Sequence, residues 1–249
     1  DVDDIYNQFI GKSTTAEKTL LEAFDYHINR MQKLVGIDVK QVSVEKYNQS
    51  LAHIKTYLRF KHNKSDYLLK DLKLQFLHDF EYYLKTEKKF LPNTVYKTLQ
   101  RLKRVVRVSV GAEYLVKDPF VLHKANKPKL QIIFLTTEEL QTLENYQFSQ
   151  PRLQEVKHWF VFSCYTGLAY NEIKNLRKQY IVKGFDGMIW IEIKREKTQK
   201  NIAIPILPKA QELIDKYFDD NIEFVFDVCS NQRYNSYLKE IASILGIEK

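Results

Sequence analysis

Apolar residues recur at helical spacing through the first half of the chain. Leu20, Leu21, Phe24, Ile28 and Met31 mark one face of a helix within residues 5–35, and Gly36 interrupts it. Ser43 is placed to cap a second helix whose buried stripe is Tyr47, Leu51, Ile54 and Leu58. Asp71 opens a third, with Leu77, Phe80 and Leu84 on one side. Pro92-Asn93 starts a fourth, carrying Val95, Leu99, Leu102 and Val106 until Gly111 stops it. Asp118-Pro119 closes this stretch. Residues 42–122 therefore read as a compact helical domain, and residues 1–41 as a separate N-terminal helical segment.

Residues 123–130 are rich in lysine, include Pro128 and have little to bury, which predicts a linker. Residues 131–249 have another texture. Thr136 and Glu139 form a Thr-x-x-Glu capping box at a helix start. A helix over residues 153–165, nearly all apolar on one side, then breaks at Thr166-Gly167, and a further helix runs through Ile173 and Leu176. In "GMIWIEIK" the period changes to two, Ile189, Ile191 and Ile193 alternating with Trp190, Glu192 and Lys194. "IAIPI" is the returning strand of a hairpin, and Pro205 points to an edge or irregular position for it. Leu207-Pro208 begins one more helix, and a last helix from Asn231 stops at Gly246. The fold class is α+β and mainly α.

Composition narrows the chemistry. The 249 residues are 44% hydrophobic, so real cores exist, yet no stretch is apolar over the length a bilayer crossing needs. Two cysteines build no disulfide framework, which favours a reducing, cytoplasmic setting. The formal charge of +8 matters less than where it gathers. Between Lys85 and Arg107 there are eight basic residues and one acid, Glu87. Lys97, Arg101 and Arg104 share one helical face, flanked by Lys103 and Arg107, while Lys55, Arg59, Lys61 and Lys64 form a second cluster. Such surfaces suit double-stranded DNA, whose phosphates release counterions when neutralised. A solvated charged face is the plainer reading of any single stripe. The six histidines lack metal-ligand spacing, and seven glycines include no phosphate loop, so no metal or cofactor is expected.

The order of the parts is informative: "LPNTVYKTLQRLKRVVRVSVGAEYLVKDPF", a linker, "LTTEEL", "FSCYTGLAYNEIKNL", then the hairpin "WIEIKREKTQKNIAIPILPKAQELI". Together they resemble the tyrosine recombinases, or phage-type integrases, and most closely the group on mobile elements of Bacteroides-like bacteria. The likeness spans residues 43–249. It implies a helical SAM-like core-binding domain, then part of a mixed α/β catalytic domain (131–249) with a small antiparallel hairpin sheet. It implies site-specific DNA cutting and rejoining through a 3′-phosphotyrosine, with cations stabilising charge on the phosphate. No cofactor is needed. The intact family member is expected to work as a homotetramer on DNA at the bacterial nucleoid, with no membrane partner.

The resemblance assigns the general acid to Lys197, a set distance before Ile204-Pro205-Ile206. The family pattern Thr-Gly-Leu-Arg-x-x-Glu is matched by Thr166, Gly167, Leu168 and, as a supporting residue, Glu172, but Ala169 stands at the arginine position. Lys157 is the candidate for restoring that charge, with Arg152 second. The family's later His-x-x-Arg helix and nucleophilic tyrosine are missing before Lys249, and Tyr234 and Tyr237 do not qualify. The first methionine is Met31, so both ends are expected to be cut, residues 1–41 being the remnant or linker of an arm-binding domain. The fragment should bind DNA, possess no nucleophile, and be monomeric by itself. An architectural or regulatory DNA-binding protein is the alternative. A magnesium-dependent nuclease built on Asp186, Glu192 and Lys194 is a further one.

Overall fold

The computed structural model describes residues 17–129, 131–196, 198–219 and 221–248. Its chain divides into two compact units, Asp1–Leu130 and Gln131–Lys249. Lys197 and the first part of the expected N-terminal helix lie outside the described residues.

In the first unit, helix α1 (Leu20–Lys33) opens on a capping box between Thr19 and Glu22. The helix was expected in a segment of its own. Instead Leu20, Phe24 and Ile28 share one core with Val44, Leu51 and Ile54 of α2 (Gln41–Tyr57), because α1 alone has nothing to cover its apolar face. Helix α2 begins three residues earlier than a Ser43 cap predicts. Its N-cap is Lys40 without a side-chain cap, and the earlier start brings Val44 into the core. A π-helical turn over Leu58–His62 follows and ends at Asn63 in the left-handed conformation, φ 50°.

Asp71 closes a short 3₁₀ turn (Leu69–Asp71), and helix α3 (Leu74–Thr86) starts just after it. Helix α4 (Pro92–Gly111) has proline at its first turn, as the sequence requires. Tyr57 anchors this core, its ring touching those of Phe76, Phe80 and Tyr83 at centroid distances of 5.3, 5.1 and 5.3 Å.

The second unit has its own core. Helix α5 (Thr137–Asn145) carries the predicted capping box, Thr136 with Glu139. Helix α6 (Pro151–Thr166) and the short α7 (Tyr170–Lys174) flank the Gly167 break. Three antiparallel strands follow, β1 (Ile181–Lys183), β2 (Ile189–Lys194) and β3 (Asn201–Pro205), in the order β1-β2-β3. Pro205 pairs with Trp190 from an edge strand, where its missing N–H costs no ladder bond. Helices α8 (Pro208–Tyr217) and α9 (Asn231–Ile244) complete the unit.

A part-buried polar chain centred on buried His158 links α6 to α8 in this unit. The Phe148 N–H donates to Gln154 Oε1 at 2.9 Å, which orients the amide so that Gln154 Nε2 donates to His158 Nε2, also at 2.9 Å. That imidazole nitrogen must accept, so His158 Nδ1–H donates to the Tyr217 hydroxyl at 2.7 Å. Burial first, then Lys216, Lys157 and Lys209, push the His158 pKa down to about 4. A depressed histidine pKa means that the folded state favours the neutral ring. Stability of the second unit is therefore complete above pH 6.5 and falls as pH drops toward 4, by ~3 kcal/mol at the limit. Urea unfolding between pH 7 and pH 4 measures this, and His158→Gln should flatten the slope; an unchanged slope contradicts it.

Candidate nucleic-acid interface

Helix α4 has two chemically distinct faces. Val95, Leu99, Leu102 and Val106 are buried, which leaves Lys97 and Arg104 exposed and Arg101 half-buried on the other side. Arg101 Nη1 donates to Ser50 Oγ at 3.4 Å, and Ser50 Oγ donates to Lys46 O at 3.0 Å. His53, one turn beyond Ser50 on α2, packs its ring 4.9 Å from Phe90. The crevice between α2 and α4 therefore carries Lys46, His53, Lys97, Arg101 and Arg104.

Two histidines report the local field. Burial lowers the His53 pKa, and Lys88 and Arg101 lower it further. Burial lowers His27 as well, followed by Arg104 and Arg30. Clustered cations have disfavoured added positive charge at both rings.

The other expected contacts separate. Lys55 is exposed but lies on a different flank of α2 from Ser50 and His53, about 140° or more around the helix, and Arg59 is exposed in the π-helical turn that follows. Lys61 and Lys64 are exposed around the π-helical turn, with Lys64 Nζ 5.6 Å from the Tyr67 ring centroid. These four do not join the α2–α4 crevice. Arg107 is exposed and lies 3.6 Å from Asp118, so its charge is shared.

Lys103 requires a correction. It is 5% exposed, because it stands on the apolar side of α4 one turn after Leu99, and its amine donates to His123 O at 2.8 Å. It ties down the start of the following segment and is not available to a phosphate.

In the second unit the break at Gly167 has a backbone cause. Gly167 adopts φ 66°, which glycine alone enters without strain, and its N–H closes α6 on Ser163 O at 2.8 Å. Leu168 then returns to the core while Ala169 is exposed. Glu172 accepts the Ala169 N–H at 2.9 Å, so this carboxylate caps α7.

Lys157 does not reach this place. It precedes Thr166 by nine residues, roughly 14 Å along α6. It is 3% exposed, and its amine donates to Glu144 O at 3.1 Å and Tyr146 O at 2.9 Å, the carbonyls ending α5. Burial, then Lys216 and Lys209, hold its pKa below the usual lysine value. Arg152 is occupied too, donating to both Glu240 oxygens at 2.7 and 2.8 Å while covering the Tyr237 ring.

The cation beside the break is Arg195, which sequence reasoning passed over. It leaves the end of β2, its Nε 3.9 Å from Glu172 Oε1 and its Nη2 3.5 Å from Gly167 O. Arg195 also fixes the β2–β3 turn, where its N–H donates to Lys200 O and its carbonyl accepts from Gln199 N–H, both at 2.8 Å. Its side chain remains 41% exposed. Nothing local in the sequence marks it, since its partners lie more than twenty residues away. Asp186, invoked for a metal, instead accepts from the Met188 N–H and the Trp190 indole at 3.0 and 3.1 Å. Among the described residues no group of three acids, histidines or cysteines is arranged to hold a metal ion.

Comparison with known proteins agrees with this architecture. Residues 19–128 match the family model described as the phage integrase SAM-like domain. No curated protein matches the chain in sequence. The fold is similar to that of a lambda integrase dimer bound to a COC′ core site, with a TM-score of 0.68 at 17% identity, covering 93% of this chain and 83% of that one. A Tn1549 transposon integrase in complex with circular intermediate DNA gives 0.67 at 13% identity, covering 92% and 78%. A lambda integrase tetramer bound to a Holliday junction gives 0.66 at 15%, covering 99% and 75%. The resemblance to phage-type integrases is borne out: the chain carries a phage integrase SAM-like domain, and nearly all of it has an integrase fold.

Removing the Lys157 amine breaks its two part-buried hydrogen bonds to the Glu144 and Tyr146 carbonyls, which costs roughly 2 kcal/mol. Lys157→Met should therefore destabilise the second unit in urea by about that much and leave DNA affinity unchanged. Full stability with lost affinity would return Lys157 to the interface.

Proposed function

We propose that the protein is a site-specific DNA recombinase of the integrase type, which grips double-stranded DNA and cuts and rejoins its backbone. The observation that carries this reading is the coincidence, in one unit, of the phage integrase SAM-like match with the cationic α2–α4 crevice. DNA-bound integrases of the same fold support it. The target belongs to a mobile element, as the lambda and transposon relatives suggest. The protein works at the bacterial nucleoid as a tetramer on DNA, in line with the lambda tetramer on a Holliday junction.

In the proposed chemistry a tyrosine oxygen attacks the phosphorus, and the bond from phosphorus to the 5′-oxygen breaks. Lys197 gives that oxygen its proton, and a 3′-phosphotyrosine remains. Attack by another 5′-hydroxyl reverses the step, so no metal or nucleotide is consumed. Arg195 takes the role left open by Ala169. Its guanidinium presents several N–H donors to the phosphate oxygens, and it stands at the break where the family arginine would begin. Lys157 and Lys103 are given no role in this chemistry.

Tyr234 is buried against Trp159, and Tyr237 lies under Arg152, so neither is assigned the attack. The chain by itself is assigned DNA binding without cutting. The architectural alternative predicts the same binding and no role for Arg195.

One measurement tests the DNA grip common to both readings, and a second separates them. Lys97→Ala and Arg101→Ala should each weaken duplex binding across sequences and lower the salt slope by about one. In a cleavage-competent protein containing this chain, Arg195→Ala should reduce the covalent adduct on a nicked duplex ~100-fold or more with binding retained, and Arg195→Lys should restore part of it. Unchanged adduct formation in Arg195→Ala would overturn the assignment.

A further inference from the structure

The first unit contains a cavity that the DNA-facing crevice does not explain. It measures about 380 Å³ and is lined by His27, Arg30, Met31, Tyr47, Arg104 and Val108, with Leu34 at its edge. Three helices meet there: α1 supplies His27 and Arg30, α2 supplies Tyr47, and α4 supplies Arg104. No carboxylate lines it. The cavity of about 670 Å³ beside β2 and β3 is opposite in character, with Glu172, Glu192 and Glu196 in its wall.

The polar groups around the smaller cavity are incompletely satisfied. His27 Nε2 is buried and has no hydrogen-bond partner. Its ring packs edge-on against Tyr47, centroids 4.8 Å apart, and so is held in place. Arg30 donates from Nη1 to the Tyr26 hydroxyl at 3.1 Å and keeps its other N–H groups. Arg104 is exposed, and among the described residues no acid pairs with it. An imidazole beside two guanidiniums, with no acid in the lining, sits in a field that a bound anion would relieve.

We propose that this cavity is a binding site for a phosphate group. Two guanidiniums and a phenol line one space beside the imidazole, and a tetrahedral oxyanion can accept from the first three while the ring feels its charge. The volume exceeds that of a bare anion. Met31, Leu34 and Val108 give the remaining space an apolar wall suited to the carbons next to a phosphodiester. Arg104 also belongs to the α4 face, one turn beyond Arg101, so a DNA backbone lying on that face would extend into the cavity. The DNA source rests on the function proposed above, whereas the site's affinity for free phosphate does not.

His27 is a built-in reporter. Arg30 of its own helix and Arg104 of α4 face it and already oppose its protonation, with Arg101 close to neighbouring Tyr47. A bound phosphate reverses that balance and favours the imidazolium. The experiment is a nuclear magnetic resonance titration of His27 in the whole chain, with inorganic phosphate, with a DNA duplex, and with sodium chloride at matched ionic strength. Phosphate or duplex should raise the His27 midpoint where chloride does not. Arg30→Ala and Arg104→Ala, both at exposed positions, should each weaken the response about tenfold. A response to duplex alone identifies the DNA backbone as the source, and a response to inorganic phosphate alone identifies the free ion. No response to either, an equal response to chloride, or a response that survives both substitutions together overturns the site. Loss of duplex binding with the inorganic phosphate response intact would count against the recombinase reading alone.

Discussion

The left-handed turn at Gly167 is the constraint on which the second unit depends. An apolar helix such as α6 cannot simply run on, because its next residues must serve two purposes. Leu168, Ile173 and Leu176 have to enter the core, while the backbone around Ala169 has to stay exposed. One residue at φ 66° allows both, and the side-chain contacts follow from it. Glu172 closes the new helix on the Ala169 N–H, and Arg195 reaches across from β2 to Gly167 O and Glu172. The hairpin turn is thus tied to the helix break by a single guanidinium.

Burial decides which cations are free to meet a phosphate. Lys103 and Lys157 look on a helical wheel like any other basic residue, yet each is nearly inaccessible and has given its amine to backbone carbonyls. Removing a buried ammonium from such partners leaves unsatisfied carbonyls, so these lysines are structural. Lys97, Arg101 and Arg104 stay at or near the surface with no acid beside them among the described contacts. They retain the charge and the donors that a polyanion can use. The number of basic residues in a stretch is a poor guide to the number that can act.

Much of the fold was legible because it follows from local rules. The Thr136–Glu139 capping box, the proline starts of α4 and α8, and the period-two pattern of β2 all depend on neighbours within a few residues. Three residues of β1 carry too little pattern to be seen, and α2 starts at Gln41 because tertiary burial of Val44 outweighs a serine cap. The site was less legible. The Thr-Gly break and Glu172 were visible, since they lie within one short motif. Arg195 was not, because what makes it relevant is a contact with residues distant in the chain. The grouping of His27 and Arg30 with Tyr47 and Arg104 escaped for the same reason: these residues come from three helices and meet only when the first unit packs. Lys157 misled because sequence gives the residue type but not the direction of its amine.

Amide hydrogen exchange with and without a DNA duplex tests the central claim most directly, since it reads both units at once. The account predicts new protection at residues 46–53 and 92–107 of the first unit, and at 167–172 and 195–200 of the second. Protection confined to other surfaces, or none at a duplex concentration that saturates binding, would contradict it.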